Sequence, residues 1–313
     1  MSDLKKKITV SVPIYNELAS LDELYERTTK VMSSLEKYDY EIVFFDDGST
    51  DGSRERINEL AQSDNHIKAI FYKRNYGYLK SIFYCVQQAK GDVAILLHSD
   101  LQNPPEEIPK LLEEWEKGHD VVLGVKYKSR ENKLLYFIRT IYYIVMRVVF
   151  GMNLIKHATE FELFDKSFIK TLNDLEFKNP FLRALIMEYG ENIGFVKYIQ
   201  DKRNEGKSKF NISLYYDFAI CGVVNMSKKL PRRLLILDAV AGLLWLIEFA
   251  FNFIPDAVRG YVYILSNALV TRGVFFMCVI ILAAISMLME FVINNNNPVS
   301  SKNIVEEEER INY

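Results

Sequence analysis

The first 125 residues of the chain alternate between short apolar runs and segments with a helical spacing of apolar positions. The runs are rich in β-branched and aromatic residues and are too apolar to form strands with one solvated face. They predict buried strands over residues 8–12, 40–45, 67–72, 93–97 and 120–125. Because strands joined by helices form right-handed crossovers, this alternation predicts an α/β fold with a mostly parallel, doubly wound sheet.

The predicted helices lie between these strands. Ser20, with Glu23 three residues later, forms a capping-box pattern that predicts the start of the first helix. Further helices are predicted over residues 51–61, 78–89 and 105–117. In a sheet of this kind, ligands bind beyond the carboxyl ends of the strands, so functional residues are expected there.

Hydrophobic residues make up 49% of the chain, more than most soluble domains contain. Much of the excess lies in two runs, 234–254 and 274–293, each about 20 residues long and therefore able to cross a bilayer as a helix. Asp238 and Glu248 weaken the prediction for the first run, whereas the second carries only Glu290, near its end. The sequence predicts two transmembrane helices, with buried helices of a soluble core as the alternative.

Charged residues predict how these helices are oriented. Lys228, Lys229, Arg232 and Arg233 precede the first span, so the positive-inside rule places the preceding domain in the cytoplasm. A two-helix hairpin returns the tail to the same side. The charged residues 1–7 lead directly into a strand, which predicts no N-terminal signal peptide. The expected localisation is a multi-pass membrane protein with two C-terminal spans.

Two further segments predict helices in the membrane interface, namely 134–150, which carries Arg139 and Arg147 among apolar residues, and 211–226, an apolar segment that ends next to Lys228 and Lys229. Packing onto the sheet is an equal alternative for the first of them. The acidic tail predicts a solvated, poorly ordered end. The predicted organisation is a cytoplasmic domain (1–210), a juxtamembrane interfacial helix (211–233), a transmembrane hairpin (234–293) and an acidic cytoplasmic tail (294–313).

Charge and cysteine content exclude some classes of protein. A net charge of −2 gives no overall basic excess, which argues against a nucleic-acid partner. Cys85, Cys221 and Cys278 are odd in number and lack the spacing of a metal site. They are therefore interpreted as reduced thiols in a cytosolic environment.

Each of the first four predicted strands ends in a polar segment. The segments read PIYNE, DDGSTDGS, KRNYG and HSDLQNPPE along the chain. Asp46 and Asp47 could accept hydrogen bonds from a base or a ribose, Gly48 and Gly52 let the backbone bend, and Ser49 or Thr50 could cap the next helix. Any one segment could be an ordinary turn, but four at one sheet edge indicate a binding site.

Asp100 follows an apolar strand and precedes Pro104 and Pro105. A carboxylate held at a strand tip in this way is a preorganised oxygen ligand, suited to Mg²⁺ or Mn²⁺ that in turn holds a diphosphate. Such an ion neutralises the charge that develops on a leaving diphosphate.

These segments resemble those of the family-2 glycosyltransferases with the GT-A fold, and within them the polyprenyl-phosphate glycosyltransferases. The matching words are VPIYNE, FFDDGSTDGS, KRNYGYLKS, SDLQNPPE, VVLGVK and RNEGKSKF, whose order covers roughly residues 8–210. The resemblance implies a nucleotide diphosphate sugar donor (UDP- or GDP-hexose), a divalent metal, and a polyprenyl phosphate in the membrane as acceptor. Two C-terminal spans also resemble the layout of bacterial members.

The resemblance also implies roles for particular residues. The nucleotide-sugar site would comprise Pro13, Tyr15, Glu17, Asp46, Asp47, Ser49, Arg74, Asn75, His98 and Ser99. Asp100 would hold the metal and Gln102 would lie beside the diphosphate. The donor or acceptor phosphates would contact Arg203, Lys207, Ser208 and Lys209, because cations and hydroxyls around a glycine suit a phosphate. Lys126 and Arg130 either add positive charge to this site or form a solvated basic turn.

The chain departs from the family pattern at two places. The usual Asp-x-Asp is His98-Ser99-Asp100, so the first carboxylate is missing, and His98 could contact the ribose or the metal as a neutral imidazole. In the segment HATEFELFD, Glu160 and Glu162 replace the residues common in relatives. Glu160 could be a general base or an acceptor-site group, with a polar helix start as the alternative.

The leading hypothesis is an inverting, metal-dependent transfer of a hexose to a polyprenyl phosphate, with Asp100, Gln102, Arg203 and Glu160 as candidate catalytic residues. A second hypothesis is transfer to the hydroxyl of a lipid-linked saccharide or another glycan, which requires a base such as Glu160. A third is a catalytically weak nucleotide-sugar-binding scaffold, because His98 replaces an aspartate. The first strand-to-helix turn lacks Gly-x-Gly-x-x-Gly, which excludes a Rossmann dehydrogenase. The oligomeric state stays open, with a homo-oligomer among the alternatives.

Overall fold

The computed structural model describes residues 5–128, 144, 146–148, 155, 158–175, 180–199, 240, 243, 273–274, 276–289, 292 and 304–313. The chain divides into two compact units. The first comprises Met1–Lys133, Ile155–Tyr215 and Pro298–Tyr313, and the second comprises Leu134–Leu154 and Tyr216–Asn297.

A single eight-stranded sheet forms the centre of the first unit. Its strands are β1 (Lys6–Ile14), β2 (Tyr38–Asp46), β3 (Ile67–Tyr72), β4 (Val93–Leu96), β5 (Val121–Lys128), β6 (Ala158–Asp165), β7 (Ile193–Ile199) and β8 (Glu307–Ile311). Their spatial order is β7-β5-β6-β4-β1-β2-β3-β8. The pairs β1/β2, β1/β4, β2/β3 and β5/β7 are parallel, whereas β6 is antiparallel to both β4 and β5, and β8 is antiparallel to β3.

Within the described residues, six α-helices of the first unit lie between these strands. They are α1 (Leu18–Ser34), α2 (Ser53–Ser63), α3 (Tyr78–Gln87), α4 (Ile108–Glu116), α5 (Lys166–Asp174) and α6 (Leu182–Tyr189). A 3₁₀ turn, Pro105–Glu107, precedes α4, and prolines at its first positions suit a helix start because they need no N–H partner there.

The core consists of two apolar layers, one on each face of the sheet. One layer packs side chains of α1, α2 and α4, such as Leu21, Ile57 and Leu111, against Val10 and Phe44. The other packs side chains of α3, α5 and α6 against the opposite face. Because successive side chains of a strand point to opposite faces, the central strands are apolar at nearly every position.

The five strands expected from apolar runs are all present, and a helix occupies each helical segment predicted between them. The sheet is mixed: four of its seven strand pairings are parallel, as expected of a mostly parallel sheet, and three are antiparallel. The capping box at Ser20 is wrong. Helix α1 begins at Leu18 with Glu17 as its N-cap residue, and the Ser20 hydroxyl donates to the Glu17 carbonyl.

The caps predicted for the second helix differ from those observed. Gly52, at φ 95°, is the N-cap residue of α2, and neither Ser49 nor Thr50 caps it. Instead, Asp51 accepts hydrogen bonds from the backbone N–H and the hydroxyl of Ser53 at 3.0 and 2.6 Å. The acidic side chain is therefore the group that satisfies the first turn of this helix.

The prediction of a poorly ordered acidic tail is wrong for residues 304–313. Glu307–Ile311 form β8, which adds an antiparallel edge strand to the sheet beside β3. Val305 is fully buried, and Asn312 Nδ2 donates to the carbonyls of Ala61 and Ile67 at 2.6 and 3.2 Å. Backbone pairing and these contacts order a segment whose composition alone suggests a solvated end.

The described part of the second unit includes a helix over residues 276–289. It exposes large apolar side chains, namely Phe276, Val279, Ile281, Leu282, Ile285, Leu288 and Met289. Within the described residues, no helix combines the length and apolar character that crossing a bilayer requires. The first predicted span (234–254) lies outside the described residues except for Val240 and Leu243, as do the predicted interfacial helices except for four positions of the first.

Candidate functional site

Strands β1 to β5 and β7 all run in the same direction, so their carboxyl ends meet at one edge of the sheet. The antiparallel strand β6 begins at this edge. We call it the site edge. The polar segments predicted from the sequence to form a site are therefore brought together here.

The segments after β1 and β2 interlock at the site edge. Asn16 N–H donates to the Ser49 hydroxyl at 2.9 Å, and Thr50 N–H donates back to Asn16 Oδ1 at 2.7 Å. Asn16 has φ 52°, a left-handed conformation that asparagine tolerates better than most residues. Tyr15, before it, is 40% exposed at the site edge.

Asp46 and Asp47 are buried at the end of β2. Asp47 accepts hydrogen bonds from the backbone N–H groups of Tyr76 and Gly77, at 2.6 and 3.1 Å, and so holds the segment after β3. Burial raises the pKa of Asp47 to about 6, although both amides oppose the rise. Asp46 accepts from Ser49 N–H at 3.3 Å, and burial raises its pKa as well. Both carboxylates thus order the walls of the site.

Gly48 lies where the segments after β2 and β3 come closest. Its φ is +74°, and a Cβ built on it would lie 2.9 Å from Asn75 N and 3.0 Å from Arg74 C. These are backbone atoms, which cannot move aside as a flexible side chain can. A glycine is therefore required both by the conformation and by the space.

Gly48→Ala is expected to displace the 73–77 segment and to weaken binding of the proposed nucleotide-sugar donor at least about tenfold. Isothermal titration with the donor or its nucleotide measures this. Gly118→Ala is the matched control, because Gly118 also has a positive φ, +94°, but a Cβ added there would meet nothing within 4 Å. The control should lose stability and keep its affinity; equal affinity losses in both variants would contradict the packing argument.

The segment after β4 presents Asp100. Its Oδ1 accepts from Gln102 N–H at 3.1 Å, and Leu101 between them has φ 57°, so the turn is tight. Ser99 is buried and Asp100 is partly exposed. Further along, Asn103 is buried and its Oδ1 accepts from the Tyr198 hydroxyl of β7 at 2.5 Å. The apolar strand behind and the anchored asparagine ahead fix the position of the carboxylate.

Glu160, near the start of β6, lies at the centre of a polar cluster. One oxygen accepts a hydrogen bond from the Tyr78 hydroxyl and lies 3.7 Å from His98 Nε2. The other lies 3.5 Å from Arg183 Nη2. The rings of Tyr78 and His98 stack with centroids 5.8 Å apart. Because its two oxygens are engaged in this way, Glu160 is held in place rather than presented as an uncommitted base.

Glu162 lies two residues further along β6, beside Leu96 of β4 and Leu123 of β5. It is buried, and no described residue donates a hydrogen bond to its Oε2. Burial raises the pKa of Glu162 to about 8, an effect that Arg183 opposes and Glu160 reinforces. The side chain is therefore a neutral carboxylic acid at pH 7.

A divalent cation fits this site through Asp100. No group of three His, Cys, Asp or Glu side chains is placed to hold an ion within the described ranges. Mg²⁺ and Mn²⁺ at phosphate sites, however, are commonly bound by one or two carboxylates together with substrate oxygens and water. One partly exposed carboxylate on a rigid turn meets that requirement.

The remaining predicted residues fall into two groups. Pro13 and Glu17 adjoin Tyr15 at the site edge, Arg74 and Asn75 are exposed in the segment after β3, and Lys126 lies near the end of β5. Arg130, Arg203, Lys207, Ser208 and Lys209 lie outside the described residues. Strand β7 ends at residue 199 on the site edge, shortly before the last four of them in the sequence.

Sequence reasoning did not select Tyr78, Arg183 or Tyr198. Tyr78 stands in the matching word KRNYGYLKS, which offered a signal for it. The other two occupy ordinary helix and strand positions. Tertiary packing brings Arg183 of α6 to Glu160 and Tyr198 of β7 to Asn103. Cys85 is a buried free thiol and Cys278 an exposed one, in agreement with the predicted reduced state for these two.

The sheet order, the polar strand exits and the carboxylate of Asp100 beyond β4 are those of an α/β glycosyltransferase fold of the GT-A type. The structure is similar to that of glucosyl-3-phosphoglycerate synthase from Mycobacterium tuberculosis in complex with Mn²⁺, UDP-glucose and phosphoglyceric acid, with a TM-score of 0.52 and 16% identity over 71% of this chain and 80% of that one. The chain belongs to glycosyl transferase family 2, whose sequence profile matches residues 9–181.

Curated relatives are similar over most of their length. A prophage bactoprenol glucosyl transferase homolog of Escherichia coli is 29% identical over 86% of this chain and 89% of its own. An undecaprenyl-phosphate 4-deoxy-4-formamido-L-arabinose transferase of Proteus mirabilis is 33% identical over 71% of this chain and 70% of its own. An uncharacterised glycosyltransferase of Bacillus subtilis, YkcC, is 31% identical over 72% and 70%.

Proposed function

We propose that this protein transfers a hexose from a nucleotide diphosphate sugar to a polyprenyl phosphate at the cytoplasmic face of a membrane, with inversion at the anomeric carbon. The observation that carries the proposal is the placement of Asp100 on a rigid turn at the same sheet edge as the segments after β1, β2 and β3. The two transferases named for bactoprenol and for undecaprenyl phosphate support the lipid phosphate as acceptor.

The residues of the site would have distinct roles in this reaction. The walls formed by Tyr15, Asn16 and the segment after β2 receive the nucleoside, and Asp100 holds the divalent ion against the diphosphate. The bound ion would screen the charge that builds on the departing diphosphate. Gln102 lies beside Asp100 and Lys126 adds positive charge at the end of β5, where phosphate oxygens would approach.

In the reaction, an oxygen of the lipid phosphate attacks the anomeric carbon while the bond from that carbon to the diphosphate oxygen breaks. Attack opposite the leaving group inverts the configuration. The acceptor phosphate is already anionic at neutral pH, so no side chain has to remove a proton from it. This agrees with the engagement of Glu160 by Tyr78 and Arg183.

Membrane attachment through two C-terminal helices is part of the proposal. The exposed apolar side chains of the 276–289 helix support it, since so large an apolar face is unusual on a soluble surface. The return of the chain to the first unit at β8 also supports it. If the intervening segment crosses a bilayer, both of its ends lie on the same side, which requires an even number of spans.

The proposal is tested by incubating the purified protein in lipid nanodiscs with a panel of nucleotide sugars, Mg²⁺ or Mn²⁺ and a short polyprenyl phosphate. Mass spectrometry of the lipid fraction identifies the product. One nucleotide hexose is expected to give a polyprenyl-phosphate hexose of inverted anomeric configuration. Release of free hexose without any lipid product, across the whole panel, would contradict it.

A hydroxyl acceptor is the second candidate, because Glu160 is a carboxylate within the site. Glu160→Gln separates the two. With a phosphate acceptor we expect the variant to retain transfer within about tenfold, whereas loss of a general base costs about 10²–10⁴-fold. Transfer and donor hydrolysis are measured together, with exposed Glu113→Gln as the control. Transfer lost with hydrolysis retained would favour the hydroxyl acceptor.

A further inference from the structure

We propose that the C-terminal segment 304–313 is a positioning element of the donor site and acts through the segments that follow β2 and β3. The inference rests on the proposed use of those segments to bind a nucleotide sugar. It gives a role in donor binding to an acidic strand that lies outside the region matched by the family profile.

The first contact is at the root of the 73–77 segment. In the antiparallel pairing, Tyr72, the last residue of β3, is opposite Glu307. One residue later, Lys73 N–H donates to the Glu306 carbonyl at 3.0 Å, and Lys73 Nζ lies 3.3 Å from the Glu306 carboxylate. The segment that supplies the Tyr76 and Gly77 amides to Asp47 therefore starts from a residue that 304–313 holds.

The second contact is at the start of α2. Arg54 Nη1 lies 2.8 Å from Glu308 Oε2, and its guanidinium packs on the Phe71 ring at 4.6 Å. Arg54 follows the DDGSTDGS segment and lies close enough to Asp46 to oppose the burial that raises the pKa of that carboxyl. The acidic strand thus contacts both walls of the donor site.

The segment is fixed firmly enough to serve this purpose. Val305 is fully buried in the apolar layer, and the Tyr84 hydroxyl donates to Glu307. The Tyr313 ring lies under three cations, with Lys90 Nζ 3.8 Å from its centroid, the Arg310 guanidinium at 4.7 Å and Lys68 Nζ at 5.4 Å. Exposed ion pairs contribute little individually, so the backbone pairing and the buried valine carry most of the docking.

Two variants of the full chain test the proposal in nanodiscs. One ends at residue 303, and the other is Val305→Asp, which places a charge in the apolar layer and releases the segment if the truncation fails to fold. Hydrogen exchange is measured at the Tyr76 and Gly77 amides, and the donor KM and kcat are measured in the transfer assay. We expect exchange at both amides to rise at least about tenfold and the donor KM to rise about tenfold, with kcat within about twofold.

A peptide of sequence IVEEEERINY, added to the truncated protein, is expected to restore protection and KM, and a scrambled peptide of the same composition is the control. Unchanged exchange at both amides overturns the proposal. So does a rise that extends equally to Val10 and Val12 in the central strand, or an equal effect of the two peptides. Because exchange is measured without donor or acceptor, it tests the positioning role even if no transfer is found.

Discussion

Asp100→Asn is expected to lower the rate of hexose transfer at least about a hundredfold, with little change in the stability of the fold. Loss of a group that stabilises charge developing in a transition state typically costs about 10²–10³-fold in kcat. The asparagine oxygen can still accept the 3.1 Å hydrogen bond from Gln102 N–H, so the turn should persist. Measurement of kcat against Mg²⁺ or Mn²⁺ concentration checks the prediction.

Asp174→Asn is the matched control for this variant. Asp174 is exposed at the end of α5. Its replacement by asparagine removes the same charge as Asp100→Asn does, but outside the segments that form the site. This variant should transfer hexose at the parent rate. If Asp100→Asn also retained full activity and the same metal dependence, the assignment of Asp100 as the metal ligand would be wrong.

Glu162→Gln is expected to raise the stability of the protein, relative to the parent, by roughly 3–4 kcal/mol more at pH 8 than at pH 5. In the folded protein the pKa of Glu162 is raised to about 8, whereas in the unfolded chain it is close to the ordinary value near 4.3. The folded state therefore binds the proton more tightly. The stabilisation contributed by protonated Glu162 is fully present below the unfolded pKa and is lost as the pH rises toward 8. Glutamine has no proton to lose, so the variant should not lose stability in this way.

The free energy of unfolding is measured by urea denaturation of the parent and the variant at several values between pH 5 and pH 8. Trp115 fluorescence is a suitable probe, because its indole N–H donates to Asp165 at 2.7 Å within the same unit. Glu113→Gln changes an exposed glutamate and is the control. Parallel pH profiles for the parent and Glu162→Gln would show that Glu162 is ionised in the folded protein.

The strands that could be predicted from sequence are those buried on both faces, because their apolar runs need no tertiary information. Strand β6 was not predicted. Its segment alternates Glu160, Phe161, Glu162 and Leu163. Both glutamates lie on the face of the sheet that α6 covers, where Arg183 approaches Glu160. An alternation of glutamates and apolar residues has the sequence pattern of an exposed strand or a polar helix start. The sequence therefore did not reveal that Glu162 is buried and that β6 is a central strand.

Strand β8 shows a different reason for failure. Four consecutive glutamates have low strand propensity and repel one another, so the local sequence favours a solvated segment. Backbone pairing with the edge of β3 and burial of Val305 reverse that preference, with smaller contributions from the ion pairs to Arg54 and Lys73. All of these partners, the edge of β3, Arg54 and Lys73, are far from β8 in the sequence. Tertiary contacts therefore determine that residues 307–311 form a strand.

The candidate site was predicted in part. Its turn segments are local motifs, and the parallel strands bring them to one edge, as expected. The cluster around Glu160 was not predicted, because it depends on the insertion of β6 between β4 and β5, and on α6 carrying Arg183 to it. No spacing rule within the sequence encodes that neighbourhood.

The direction of the strands has a consequence for how such proteins can diversify. The chain leaves the first unit after β5 and after β7, and it re-enters at the beginnings of β6 and β8. The described strand ends nearest these breaks, namely the carboxyl ends of β5 and β7 and the beginnings of β6 and β8, all lie on the site edge, because β6 and β8 run opposite to their neighbours. The two segments of chain between these strand ends can therefore change in length without disturbing a single strand pairing. One sheet can in this way be combined with different inserted segments.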